Sequence, residues 1–322
     1  MNAILKLIHD WTLPLAIASG TILYMIFAFI PQLDEAANFF GPFFNDFLPF
    51  FMFLILFVTF CKVDFRQLGI KPWIVLTVVF QTIFSMALVS LILFFHISGR
   101  GLVLMEALLT CTVCPVASAA AVVTRKLGGK LEEMTALTFV SNFATSILIP
   151  ICFPLIDSAI DISFIDSFLK ILYEVCLVLL LPMVFAYVVK HYTPKLHHKI
   201  VSINDLSYYL WGMSLMIVSG TTVKNIFNAH AEVSFLLAIA LMSLIICVGQ
   251  FAVGRFIGHF FNRSLEAGQG LGQKNTAFAI WTANAYLTPL STLGPGCYIL
   301  WQNIINSLEI WIYRKKGKEQ AA

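Results

Sequence analysis

Apolar runs of about 18 to 25 residues, long enough at 1.5 Å per residue to cross the hydrocarbon of a bilayer, constrain this chain more than any motif does. They fall near residues 11–30, 43–62, 73–96, 102–124, 133–156, 166–189, 205–223, 233–258, 266–285 and 292–313. With 59% of residues hydrophobic and only 11% charged, lipid must solvate much of the chain, so the sequence predicts an all-α integral membrane protein of ten transmembrane helices. No hydrophilic stretch is long enough for a water-soluble domain, which predicts one membrane domain over 1–322. The net charge of +3 matters less than where the charges sit, and no nucleic-acid partner is expected. The first thirty residues lack a basic region, short apolar core and cleavage site in series, so they read as a retained first helix. Seven cysteines, at 61, 111, 114, 152, 176, 247 and 297, are scattered in or beside apolar runs, which is no disulfide framework.

The basic residues test the span count independently. With a cytoplasmic N-terminus, the inside segments hold Lys6; Lys62, Arg66 and Lys71; Arg125, Lys126 and Lys130; Lys190, Lys195 and Lys199; Arg255 and Arg263; and Arg314, Lys315, Lys316 and Lys318. Only Arg100 and Lys224 fall outside, while Lys170 and Lys274 lie within spans. The positive-inside rule therefore favours ten spans with both termini cytoplasmic, and the bare core with short loops suggests a cell inner membrane.

Ten spans divide into two sets of five, and an odd number per half makes homologous halves enter the membrane in opposite senses: repeat one about 1–160, repeat two about 161–322. The fourth span is interrupted at CTVCPVASAAA, where Pro115 removes a backbone donor. The ninth is interrupted at EAGQGLGQKN, where Gly268, Gly270 and Gly272 are expected to loosen the helix. Each is the fourth helix of its half. Matching breaks predict a central site at which carbonyls and amides face a ligand; an ordinary proline kink and glycine-mediated packing are the structural alternative.

CPVASAAAVVTRKLGG, followed by a fifth span carrying Thr138 and Ser141, resembles the Cys-Pro-Gly-Gly-x-Ala-Ser-Asn-x-x-Thr segment of the bile acid:sodium symporter family. QKNTAFAIW, followed by Pro295, Gly296, Gln302 and Asn303, is similar to its Glu-x-Gly-x-Gln-Asn ninth helix and the helix after it. The resemblance implies a core of helices three to five and eight to ten, with discontinuous helices four and nine crossing near the midplane, and a panel of helices one, two, six and seven. It implies an amphipathic or small organic anion as substrate, bound between core and panel beside two sodium ions, and alternating access by motion of core against panel. The departures fall on the sodium sites. Ala120 and Ala121 stand where the family has Ser-Asn, Met134 stands for a helix-five Ser, and only Thr138 of that helix matches. Aligned through Asn275, the ninth-helix Glu falls on Gly270 and the Gln on Lys274, while Gln81 matches a family Gln at the second ion. Sodium favours several oxygen ligands and a negative charge, and an adjacent ammonium repels it, so sodium coupling at these sites is not expected.

Lys274 lies where the family's second cation would lie. Its ammonium is expected to replace that ion, either neutralising an anionic substrate or holding the helix crossing together, and a proton lost and regained through the cycle would make it the coupling residue of a proton-linked transporter. The structural alternatives are a permanent ion pair with Glu106 or Glu266, or an amine that reaches the interface from a shorter helix. Glu106 could also face the cavity, Glu174 belongs to the panel, Asp46 sits near the outer end of its span, and Glu309 is expected near the cytoplasmic end, screened by Arg314 and Lys315. Gln273, Asn275, Thr276 and Gln302, with Thr112 and Ser118 on helix four, supply neutral hydrogen-bonding groups; Asn275 and Ser118 are expected to line the cavity.

The CxxC pair Cys111 and Cys114 has no second cysteine or histidine cluster beside it and reads as packing, with a thiol role for Cys114 left open. Histidines 9, 96, 191, 197, 198, 230 and 259 are too dispersed for a cofactor site, and no cofactor or metal is expected. No Walker loop or nucleophile elbow is present, and no convergent acid, base or metal set suggests an enzyme. The readings that remain are a secondary transporter of an organic anion, coupled to protons or uncoupled, and a membrane sensor or subunit that kept the fold and lost transport. Substrate identity, direction and oligomeric state are not encoded in these features.

Overall fold

The computed structural model describes residues 12–63, 69–156, 163–203 and 206–319. Lys6, Arg66 and the start of the first span at residue 11 lie outside the described residues, as do the side chains of Asp46, Arg314, Lys316 and Lys318. Among the described residues the elements are α1 (Thr12–Phe29), α2 (Asp34–Cys61), α3 (Pro72–Phe94), α4 (Gly99–Val113), α5 (Ala119–Lys126), α6 (Leu131–Ile156), α7 (Phe164–Leu179), α8 (Leu181–Tyr192), α9 (Pro194–Ser202), α10 (Leu206–Ala229), α11 (Val233–His259), α12 (Ser264–Gly272), α13 (Thr276–Tyr286) and α14 (Leu293–Glu319). Proline sets several of the starts: Pro72 and Pro194 occupy the first position of α3 and α9, where a missing N–H costs nothing. Pro182 acts in the same way at α8 and divides the expected sixth span into α7 and α8.

Four stretches among the described residues are long and apolar enough to cross a membrane: Pro72–Phe94, Leu131–Ile156, Phe164–Tyr192 and Val233–His259. Leu15–Phe29 and Phe47–Cys61 are shorter apolar helices. Their outward faces carry Phe94, Ile83, Leu169 and Leu237, all more than half exposed, so these faces are solvated by lipid.

The chain divides into two compact units, one holding Met1–Lys62 with Cys176–Ala231, the other Val63–Val175 with Glu232–Ala322. In the first, α10 packs on α1 and α2, and α2 packs on α8. A Cβ on Gly20 of α1 would sit 2.1 Å from the carbonyl oxygen of Met216, so these two backbones approach as only glycine permits. Phe53 of α2 meets Phe185 of α8 edge-on at 5.8 Å.

In the second unit α11 packs on α12 and α14, and α3 packs on α6 and α4. One end of the unit is tied by Glu133, at the start of α6. Its carboxylate accepts from Arg263 at 2.9 and 3.1 Å and from Trp73 Nε1 at 3.0 Å, with Lys130 at 3.5 Å. Its neighbour Glu266 accepts from the backbone N–H of Lys130 at 3.0 Å. One carboxylate thus joins α3, α6 and the α11–α12 turn.

Candidate functional site

Pro115 explains the end of α4. It has no N–H to continue the ladder, and its ring forces Cys114 out of the helical region, to φ −69° and ψ 152°. The chain then runs extended through Val116 before α5 begins at Ala119. The second break follows Gly272, where Gln273 leaves the helix at φ −90° and ψ 104°, and α13 begins at Thr276.

The two extended segments pair antiparallel, Val116 against Lys274. Ala117 N–H donates to Gln273 O at 3.0 Å, and Asn275 N–H donates to Pro115 O at 2.9 Å. Other helices satisfy the remaining groups. Ser141 Oγ of α6 accepts from Val116 N–H at 3.0 Å, and Gln302 Oε1 of α14 accepts from Lys274 N–H at 2.9 Å. The Val113 carbonyl takes Gln81 Nε2 at 2.9 Å and Thr145 Oγ1 at 3.1 Å; Gly272 O takes the Tyr298 hydroxyl at 2.7 Å. Gln250 Nε2 bridges Cys111 O and the Tyr298 oxygen. Broken backbone at this depth is tolerated only when its polar groups are paired in this way.

Lys274 is 1% exposed. Its Nζ donates to Gln81 Oε1 at 2.8 Å. The amide of Gln81 has a fixed sense, because Nε2 donates to the carbonyls of Val113 and Cys114, leaving the oxygen for the ammonium. Among the described residues that ammonium makes no ion pair with a carboxylate. The two acids considered as partners are engaged elsewhere: Glu106 accepts from Thr288 N–H at 3.1 Å, and Glu266 from Lys130 N–H.

Several expectations change at this level of detail. Gly268, Gly270 and Gly272 lie inside α12 rather than in its break, and they serve close packing. A Cβ would come within 2.5 Å of Arg255 Cγ, 2.1 Å of Leu137 Cδ2 and 2.3 Å of Phe251 Cγ respectively. Thr112 and Thr138 are buried, and their hydroxyls bond their own helices at Leu109 O and Met134 O. Asn275 is half-buried and its Oδ1 caps α13 at Phe278 N–H, 3.3 Å away. Ser118 is half-buried at the start of α5 without a side-chain cap, and Thr276 is buried. Glu309 pairs with Arg255 and accepts from Gln269 Nε2 at 2.7 Å. Gln273 bonds Gln269 and also donates to Asn306 Oδ1 at 2.9 Å. Glu174, expected in the panel, instead falls in the compact unit that holds the core spans, where it accepts from the Tyr286 hydroxyl. Tyr298, Gln250, Gln269 and Asn306 were not singled out from the sequence; polar residues spaced three or four apart at 302, 306 and 309 were the available signal.

Taken together, a lipid-solvated helical chain whose two interrupted helices pair through their breaks is a multi-pass membrane protein. The family model for the sodium bile acid symporter family matches residues 49–230, more than half of the 322 residues, and the chain belongs to that family. Its family is one of membrane transporters of the bile acid and organic anion type. No curated protein matches the sequence.

Proposed function

We propose that this protein is a secondary transporter of a small or amphipathic organic anion, working by alternating access, in which the tethered charge of Lys274 stands in place of a bound sodium ion. The carrying observation is the burial of Lys274 at the paired breaks with the neutral oxygen of Gln81 as its hydrogen-bond acceptor. A buried ammonium held by an amide keeps most of its field for an incoming anion, whereas a carboxylate partner would cancel it. Ten spans in two inverted repeats, with both termini cytoplasmic in an inner membrane, complete the reading. The matched fourth and ninth helices support it, as does the division of the chain into units, one holding spans one, two and seven with the second half of span six and the other holding the rest.

Two forms of this reading differ in whether Lys274 keeps its proton. With a permanent charge, each monovalent anion crosses alone, and an inside-positive potential drives uptake. With a proton exchanged each cycle, anion and proton cross together, so a pH gradient drives uptake and the potential does not. A second reading, a sensor or subunit without transport, is favoured by the apolar burial of Ala120, Ala121 and Met134 where the family binds sodium. Proteoliposome uptake of a panel of carboxylates and sulfonates, under imposed potential, pH or sodium gradients, separates these. The transporter reading requires uptake by the wild type without sodium and its loss in Lys274→Gln. Binding without uptake under every gradient establishes the sensor.

A further inference from the structure

Between the expected sixth and seventh spans, α9 is a regular helix of nine residues, PKLHHKIVS, with none of its side chains fully buried. Only Thr193 separates it from α8, whose last turns expose Tyr187 and Tyr192, at 49% and 77%. Exposed tyrosines at the end of an apolar helix mark the membrane interface, so α9 begins at headgroup depth.

At 100° per residue, Lys195, His198, Lys199 and Ser202 share one side of α9, and Leu196, Ile200 and Val201 share the other. Leu196 is 47% exposed, and Ile203 just beyond the helix is 44% exposed. His197 anchors the helix, its Nε2 donating to the terminal α2 carbonyl of Cys61 at 2.7 Å. That contact brings the exposed Lys62 at the end of α2 to the same corner. Residues 47–62 and 176–203 contain no aspartate or glutamate; Asp64 and Asp205, just beyond them, lie outside the described residues. The result is a helix fixed to its unit, with exposed apolar side chains beside a face whose Lys195 and Lys199 make no ion pair among the described residues.

We propose that α9 binds an anionic glycerophospholipid, with Lys195 and Lys199 on the headgroup phosphate and Leu196 against the acyl chains. Amphipathic helices bind the interface through this pairing of apolar area and basic charge, and lysine stems extend along hydrocarbon while the ammonium reaches the phosphate. Each basic residue near an anionic surface contributes about five-fold in affinity, so removing two lowers it by well over ten-fold.

The test uses the full chain in a zwitterionic detergent, titrated with phosphatidylglycerol or phosphatidylcholine while its Tm is followed. Phosphatidylglycerol is expected to raise the Tm of the wild type, and phosphatidylcholine to leave it unchanged. The half-effect concentration should rise at least ten-fold in Lys195→Gln/Lys199→Gln, but stay put in the arginine pair Lys195→Arg/Lys199→Arg and in Arg125→Gln/Lys126→Gln. Both altered pairs are exposed, so the variants fold. The proposal is overturned by an unchanged phosphatidylglycerol response in the glutamine pair, by an equal loss in Arg125→Gln/Lys126→Gln, or by inorganic phosphate reproducing the lipid's effect.

Discussion

At the first break a proline removes one backbone donor, and small polar side chains close the gap: Ser141 serves one N–H and Thr145 one carbonyl. At the second break no proline intervenes, the corresponding donors and acceptors are the longer Gln302 and Tyr298, and the residue facing Val116 across the bridge is a lysine. The first break therefore shapes backbone, whereas the second also places a lysine amine at the crossing. Gln81 couples them, because one amide holds the carbonyls of the first break and the Lys274 ammonium of the second. The first break also lies within the family-matched residues and the second beyond them.

If the second break carries the electrostatics, its lysine should be the most sensitive position. Lys274→Gln is expected to cut anion uptake about 100-fold, the loss of roughly 3 kcal/mol of charge-assisted interaction, with a folded protein by size exclusion. Retained uptake would make the two breaks equivalent. Gln81→Leu tests the coupling and should act on both breaks at once. It strips a donor from two buried carbonyls and the acceptor from the ammonium, so stability is expected to fall by roughly 2–4 kcal/mol, read from the Tm. A cost no larger than that of a single-bond variant would separate the breaks.

Gly270→Ala probes packing rather than charge, since the added methyl must displace the Leu137 tip; a loss of about 1–3 kcal/mol is expected, with unchanged ion dependence of uptake. Ser141→Ala and Gln302→Ala each orphan one buried N–H at corresponding places and should cost about 1–2 kcal/mol apiece. Unequal losses would show which break is the stiffer.

The smallest effect belongs to Glu232, which the hydrogen bond and charge of Arg100 hold below the usual carboxylate range. The sign follows: a depressed carboxylate contributes stability above its unfolded pKa and loses it as pH falls through its folded pKa. The pair is solvent-exposed, so Glu232→Gln should leave the acid limb of a Tm-against-pH curve essentially in place.

The amino-acid order already displays the lipid-solvated class and both interruptions, because apolar run length and proline act locally. It points to Lys274, since an ammonium amid apolar residues is conspicuous without a structure. Its partner was less accessible: Glu106 and Glu266 were nearer in chemistry than Gln81, whose role depends on α3 passing beside the end of α4. The glycines of α12 misled for a related reason. Glycine loosens an isolated helix, but here it lets Leu137, Phe251 and Arg255 approach an intact one. Helix α9 was hidden because nine residues are too few for a hydropathy signal.

The claim that a side-chain ammonium occupies the place of a mobile cation is tested most directly by anomalous diffraction from crystals soaked in thallium(I), a dense mimic of the alkali ions. The account predicts no thallium peak within about 3 Å of the carbonyls and amide oxygens around Lys274. A peak there, with the lysine chain turned aside, would contradict it.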